Sequence, residues 1–202
     1  MNMEIYFTRK RFYVIVAVFV ILAFGIGIGL SGTALAKKPS KQEQRADIRN
    51  MAKETLARLY KVQPAAKKAV AASAGYAVFS NFGLKIFFVG SGTGKGLVID
   101  KTTKKETFMK MIEGQVGLGL GAKKFRQVWV FKSKKALNDF INSGWEFGGQ
   151  ATAAAKSGSK GGDMAGAISV DVDILLYQLT DDGLALELSG KGTKYYKYDD
   201  LN

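Results

Sequence analysis

The stretch Val89-Gly90-Ser91-Gly92-Thr93-Gly94-Lys95-Gly96-Leu97-Val98-Ile99-Asp100 decides the fold. Glycine stands at every second position from 90 to 96. A second set follows at Gly114, Gly117, Gly119 and Gly121, with one step of three. Apolar residues flank and interleave both sets: Ile86, Phe87 and Phe88 before the first, Val116, Leu118 and Leu120 within the second. A period of two is that of a β-strand, whose side chains alternate between faces. Glycine weakens a strand, since it costs backbone entropy and offers nothing to pack. Its repeated use on one face therefore implies a close neighbour that leaves no room for Cβ atoms. The pattern predicts a bent, closed or nearly closed antiparallel sheet. The pattern fits a phosphate loop poorly: the GxxxxGK[ST] spacing is missing, and Leu97-Val98-Ile99-Asp100 continues as strand where a helix should begin.

Working outward, the N-terminal side reads as helix. Ser40 and Glu43 form a capping box. Ile48, Met51, Ala52, Thr55, Leu56 and Leu59 then recur with helical spacing, a face for packing on the sheet or for lying on a membrane surface. Pro64 and Gly75 bracket a second, alanine-rich helix. Strands are predicted over 76–80, 84–90, 96–100, 107–112, 115–122 and 127–131. Ser133 caps a short helix to about Asn142. Another strand is expected from Trp145 to Ala155, a loop over 157–162, and one long strand from Ala167 to Leu179. Thr180-Asp181-Asp182-Gly183 reads as a hairpin turn, with a returning strand from Leu184 to Ser189. The fold class is thus α+β, mainly antiparallel β: a glycine-rich, curved, barrel-like sheet with N-terminal helices and one short internal helix.

The first residues have a different character. Arg9-Lys10-Arg11 precedes a run from Phe12 to Leu30 without a charged residue, and Ala34-Leu35-Ala36 follows. This is the order of a secretory signal cut after Ala36. The run is also long enough to remain as a membrane anchor. Residues 1–36 are therefore expected to be a signal peptide or anchor and 37–202 a single exported domain, periplasmic or otherwise associated with the envelope. The chain has no Cys, so this domain must stabilise itself without disulfides.

Charge is unevenly placed. Residues 37–135 hold 22 Lys and Arg against 6 Asp and Glu; residues 136–202 hold 5 against 10. The basic residues cluster at Lys67-Lys68, Lys101-Lys104-Lys105, Lys123-Lys124-Arg126 and Lys132-Lys134-Lys135. Such asymmetry points to an anionic partner. Export makes nucleic acid a poor candidate and membrane headgroups a good one, at ~1 kcal/mol per well-placed basic residue.

Catalysis has little to work with. The chain has no His and no Cys, which removes the commonest general base, the thiol nucleophile and Cys/His zinc sites. Asp171 and Asp173 would share a strand face, as one side of a calcium site, a carboxylate pair or simply a solvated face opposite Val170, Val172 and Ile174. Asp181-Asp182-Gly183 lacks EF-hand spacing and suits a turn. Ser133-Lys134 and Ser159-Lys160 lie in a cap and a loop, where nothing would depress a lysine pKa. We expect no enzyme, no metal and no cofactor.

The motifs taken in order carry a resemblance. Ala74-Gly75-Tyr76-Ala77-Val78-Phe79-Ser80 is followed by the glycine-alternating strands, then Gly114-Gln115-Val116-Gly117-Leu118-Gly119. Val128-Trp129-Val130-Phe131, a helix with Phe140, Tyr177 and Gly183-Leu184 complete the series. Over roughly residues 50–202 this resembles the SYLF domain, a lipid-binding family. Glu187 and Lys191 stand where members commonly have Gly and Glu. The resemblance implies binding of anionic lipids through basic surfaces; eukaryotic members also bind actin, and bacterial members are exported. Combined with the charge clusters, it marks Lys67, Lys68, Lys123, Lys124 and Arg126 as candidate lipid contacts. Phe82 and Trp129 are candidates either for insertion or for the core. The competing expectation is a structural or protein-interaction module of the envelope with no lipid ligand, using the acidic C-terminal part or the glycine strands.

Overall fold

The computed structural model describes residues 38–86, 89–116, 121–143, 146–147, 166–181, 183–185 and 191–202. The predicted signal or anchor, the loop at 157–162 and most of the predicted strand at 145–155 lie outside these residues. Among the described residues, no helix is long and apolar enough to cross a membrane. Residues Pro39–Asn202 form one compact unit.

Helix α1 spans Lys41–Val62. Ser40 accepts from the Glu43 amide at 3.1 Å, and the Glu43 carboxylate accepts from the Ser40 amide at 2.6 Å. These two bonds satisfy donors that a helix start otherwise leaves open. Ile48, Ala52, Thr55 and Leu59 are buried, so the predicted apolar face packs on the sheet. Helix α2, Pro64–Ala72, begins on its proline and buries Ala66, Ala69 and Val70. Helix α3 is Lys134–Ser143. The Ser133 hydroxyl caps it by accepting from the Ala136 amide at 3.2 Å.

Among the described residues, nine strands form one sheet: β1 Gly75–Ile86, β2 Val89–Asp100, β3 Glu106–Val116, β4 Gly121–Phe131, β5 Glu146–Phe147, β6 Ile168–Asp171, β7 Ile174–Thr180, β8 Gly183–Ala185 and β9 Lys191–Lys197. The order is β5-β9-β3-β2-β1-β4-β7-β6, with β8 also on β7, and every described ladder is antiparallel.

Several predicted boundaries are corrected. The strands expected at 76–80 and 84–90 are largely one, because Asn81-Phe82-Gly83 continues the alternation: Phe79 and Asn81 are buried and Phe82 is exposed. The first glycine set lies inside β2, in register with β1 from end to end. Of the second set, Gly114 lies in β3 and Gly121 opens β4, so the single strand expected over 115–122 is not one element; Gly117 and Gly119 lie outside the described residues. The long strand expected over 167–179 is a hairpin. Its turn holds Val172, which is 82% exposed and fills no face. Asp171 and Asp173 therefore do not share the face of one strand. Strand β9 has no counterpart in the sequence reading.

The sheet curls sharply. Trp129 on β4 and Tyr195 on β9 are four strands apart, about 19 Å in a flat sheet at ~4.8 Å per step. Their ring centroids are 5.4 Å apart. Phe79 and Tyr195 approach to 4.9 Å, and Phe140 of α3 lies 4.9 Å from Phe131 and 5.3 Å from Tyr195. This aromatic cluster fills the concave side, with Met109, Met111 and Leu176. Trp129 is completely buried there, which settles its role as core.

The glycines of β2 explain how the curl packs. A Cβ on Gly96 would lie 2.5 Å from Cε1 of Phe79 and 2.6 Å from the Val78 carbonyl oxygen. On Gly94 it would lie 2.5 Å from the Ser80 carbonyl oxygen and 2.6 Å from Cγ of Met111. Phe79 and Met111 occupy the space that side chains at 94 and 96 would need.

Two buried polar contacts line the same side. The Tyr195 hydroxyl donates to Oε1 of Gln127 at 2.7 Å, and Nδ2 of Asn81 donates to Oε2 of Glu113 at 2.8 Å. Burial, and then the Glu113 carboxylate, push the Tyr195 hydroxyl far above the ordinary tyrosine range. At the β2–β3 turn, Asp100 accepts from the Lys134 ammonium, the Thr103 hydroxyl and the Thr102 and Thr103 amides. Lys134 first, then Thr103, hold its carboxyl well below the usual carboxylate range.

Candidate functional site: a half-covered basic sheet face

The convex face of the sheet is divided in two. Near Gly75, Asp100 and Phe131 it is apolar: Val78, Leu97, Phe108, Val128 and Val130 lie under α1, α2 and the C-terminal segment. Further along the same strands the alternation continues, but the side chains change. One rung across the sheet reads Arg126, Ser80, Lys95, Lys110, Tyr196. The next reads Lys124, Phe82, Thr93, Ile112, Lys194. Phe82, Ile112 and Tyr196 are 44%, 48% and 38% exposed, so this half carries large apolar groups in solvent among cations.

Between these rungs and α1 lies a cleft of about 850 Å³, within the range of small-molecule and headgroup sites. Arg58, Lys95, Lys110, Lys124 and Arg126 line it, with Asp47 and Asp181 as its acidic groups. The cations are held in different ways. The Arg126 guanidinium donates to the Thr55 hydroxyl at 3.2 Å and pairs with Glu54 at 3.5 Å. Arg58 donates to the backbone oxygens of Thr180 and Asp181, which anchors α1 to the β7–β8 turn. Lys124 sits 5.9 Å from the Phe82 ring centre. Lys95 and Lys110 both approach the Tyr198 ring, at 5.8 and 3.7 Å. The Tyr198 hydroxyl donates to Oε1 of Gln44 at 3.1 Å.

The predicted lipid contacts are thus divided. Lys124 and Arg126 come together in the cleft. Lys67 and Lys68 are exposed on α2 and do not line it, because the buried side of that short helix is Ala66, Ala69 and Val70. The Lys123 side chain lies outside the description; its backbone pairs with Gly83. Sequence reading missed Arg58, Lys95 and Lys110. Lys95 was the one with a signal: between glycines at period two, it must face away from them. Only the register of β2 on β3 sets Lys110 beside it. Among the described residues, no group of three or more Asp and Glu is placed to hold a metal ion.

No family model matches the chain. It is 31% identical over 162 residues to a protein named Beta cell expansion factor A from Aeromonas veronii. The match covers 79% of this chain and 59% of that protein, so the chain spans somewhat over half the length of its relative. The two are homologues across most of the domain described above.

Proposed function

We propose that the chain binds anionic phospholipid surfaces, without catalysis, through the uncovered half of its convex face. One observation carries the reading: two adjacent rungs interleave cations with exposed Phe82, Ile112 and Tyr196. Cations attract anionic headgroups, and apolar groups beside them gain from reaching the interfacial region. The order of motifs supports placing the chain in the SYLF family. The basic run and Ala34-Leu35-Ala36 support export and an envelope location, where phospholipid is the abundant anionic surface. The cleft, lined by cations and hydroxyls, suits headgroup contact better than proton transfer.

Co-sedimentation of residues 37–202 with neutral and anionic vesicles, at low and moderate salt, tests this. Binding to anionic vesicles alone, weakened by salt, is expected, since exposed charges are screened within about 10 Å at 0.1 M salt. Equal binding to both, or binding indifferent to salt, overturns it and turns attention to a protein partner in the envelope.

A further inference from the structure

Lys95 and Lys110 are directly opposite each other on β2 and β3, on the same face. Side chains so placed have Cβ atoms about 5 Å apart, and like charges there repel. Neither takes part in any ion pair among the described residues. Both ammoniums nevertheless converge on one ring, that of Tyr198. Nζ of Lys95 also lies 3.5 Å from the Gln44 carbonyl oxygen that accepts from the Tyr198 hydroxyl. The neutral side-chain oxygen of Gln44 thus meets the Lys95 ammonium and the Tyr198 hydroxyl, while the Lys110 ammonium lies 3.7 Å from the centre of the same tyrosine ring. By contrast, Arg126 already has Glu54 at 3.5 Å.

From this arrangement we infer that Lys95 and Lys110, with Tyr198 and Gln44, form a seat for one phosphate group, the phosphodiester of an anionic glycerophospholipid. This rests on the membrane-binding reading above and names the part of the face that carries it. The phosphate relieves the repulsion between the two lysines and takes hydrogen bonds from both. Ile112 and Tyr196 are the cross-strand neighbours of Thr93 and Lys110, respectively. They place apolar surface beside the seat on the side from which a lipid would arrive. Lys67 and Lys68 provide the control: an exposed basic pair on α2, outside the cleft.

The experiment compares the parent with two double variants, Lys95→Gln/Lys110→Gln and Lys67→Gln/Lys68→Gln, each removing the same charge. Each is checked for an unchanged circular dichroism spectrum and melting point. Affinity for vesicles of phosphatidylglycerol in phosphatidylcholine is measured at moderate salt. Loss of the seat lowers it by about thirtyfold, while loss of the α2 pair lowers it by less than about threefold. In a second arm, glycerophosphoglycerol and inorganic phosphate are titrated into the full-length chain. The phosphodiester raises the melting point of the parent, and the effect is absent in the seat variant. Equal losses in the two double variants overturn the seat and leave general membrane attraction standing. A parent that ignores anionic vesicles overturns both. Stabilisation by inorganic phosphate alone also overturns the assignment, by making the ligand a free anion.

Discussion

Gly96 and Gly114 belong to the same glycine-rich pattern, yet they serve opposite ends. Gly96 faces the concave core, where Phe79 and the Val78 carbonyl leave no space for a Cβ. Gly114 is exposed on β3, and the nearest group to a Cβ there would be the Gly192 carbonyl oxygen at 3.9 Å, an ordinary contact. The same residue type is thus a steric requirement in one strand and dispensable in the next. The difference follows from the curl: in these two strands Gly96, on the inside of the bend, loses its side-chain volume to a neighbour, while Gly114, on the outside, does not.

Four substitutions test that contrast. Phe79→Ala should cost most, about 3–5 kcal/mol in urea unfolding, because it empties the centre of the aromatic cluster. Gly96→Ala should cost about 1–3 kcal/mol by overpacking. Combining the two should cost less than their sum, since the ring that blocks the new methyl is gone; strict additivity would show that Phe79 is not the obstacle. Asp100→Asn should cost about 1–3 kcal/mol at neutral pH through its weakened bonds to Lys134 and Thr103. The folded carboxyl titrates below its ordinary value of 3.8. Its stabilisation is therefore present above that pH and is lost as pH falls below it, so the unfolding midpoints of variant and parent should converge in acid. Gly114→Ala should fall within about 0.5 kcal/mol of the parent. A loss there as large as at Gly96 would break the comparison.

What the sequence made legible was local. The Ser40–Glu43 capping box, the Ser133 cap and the turn before Gly183 depend on neighbours a few residues apart, and the structure has all three. The glycine period gave the bend. The misread elements depend on pairing at a distance. β1 continues through Asn81-Phe82-Gly83 because β2 and β4 both run alongside it. Strand β9, with only seven residues, is held in place by β3. The candidate site divides the same way. Lys124 and Arg126 were visible as a charge cluster, but Lys95 and Lys110 are isolated in sequence and meet only through register. Lys67 and Lys68 formed an equally visible cluster on an element that does not reach the cleft.

The position of β9 bears on how the molecule assembles. Strands β1, β2 and β3 are joined by short connections and can pair as soon as they are made, since closing a short loop costs little entropy. Tyr195 reaches Phe79 and Trp129 only once β9 has docked on β3. Without β9 in place, Phe79 and Trp129 lack this partner ring. Folding should therefore end, rather than begin, with the burial of its largest rings: substitutions at the β1–β2 hairpin should slow refolding, and those at Tyr195 should chiefly hasten unfolding.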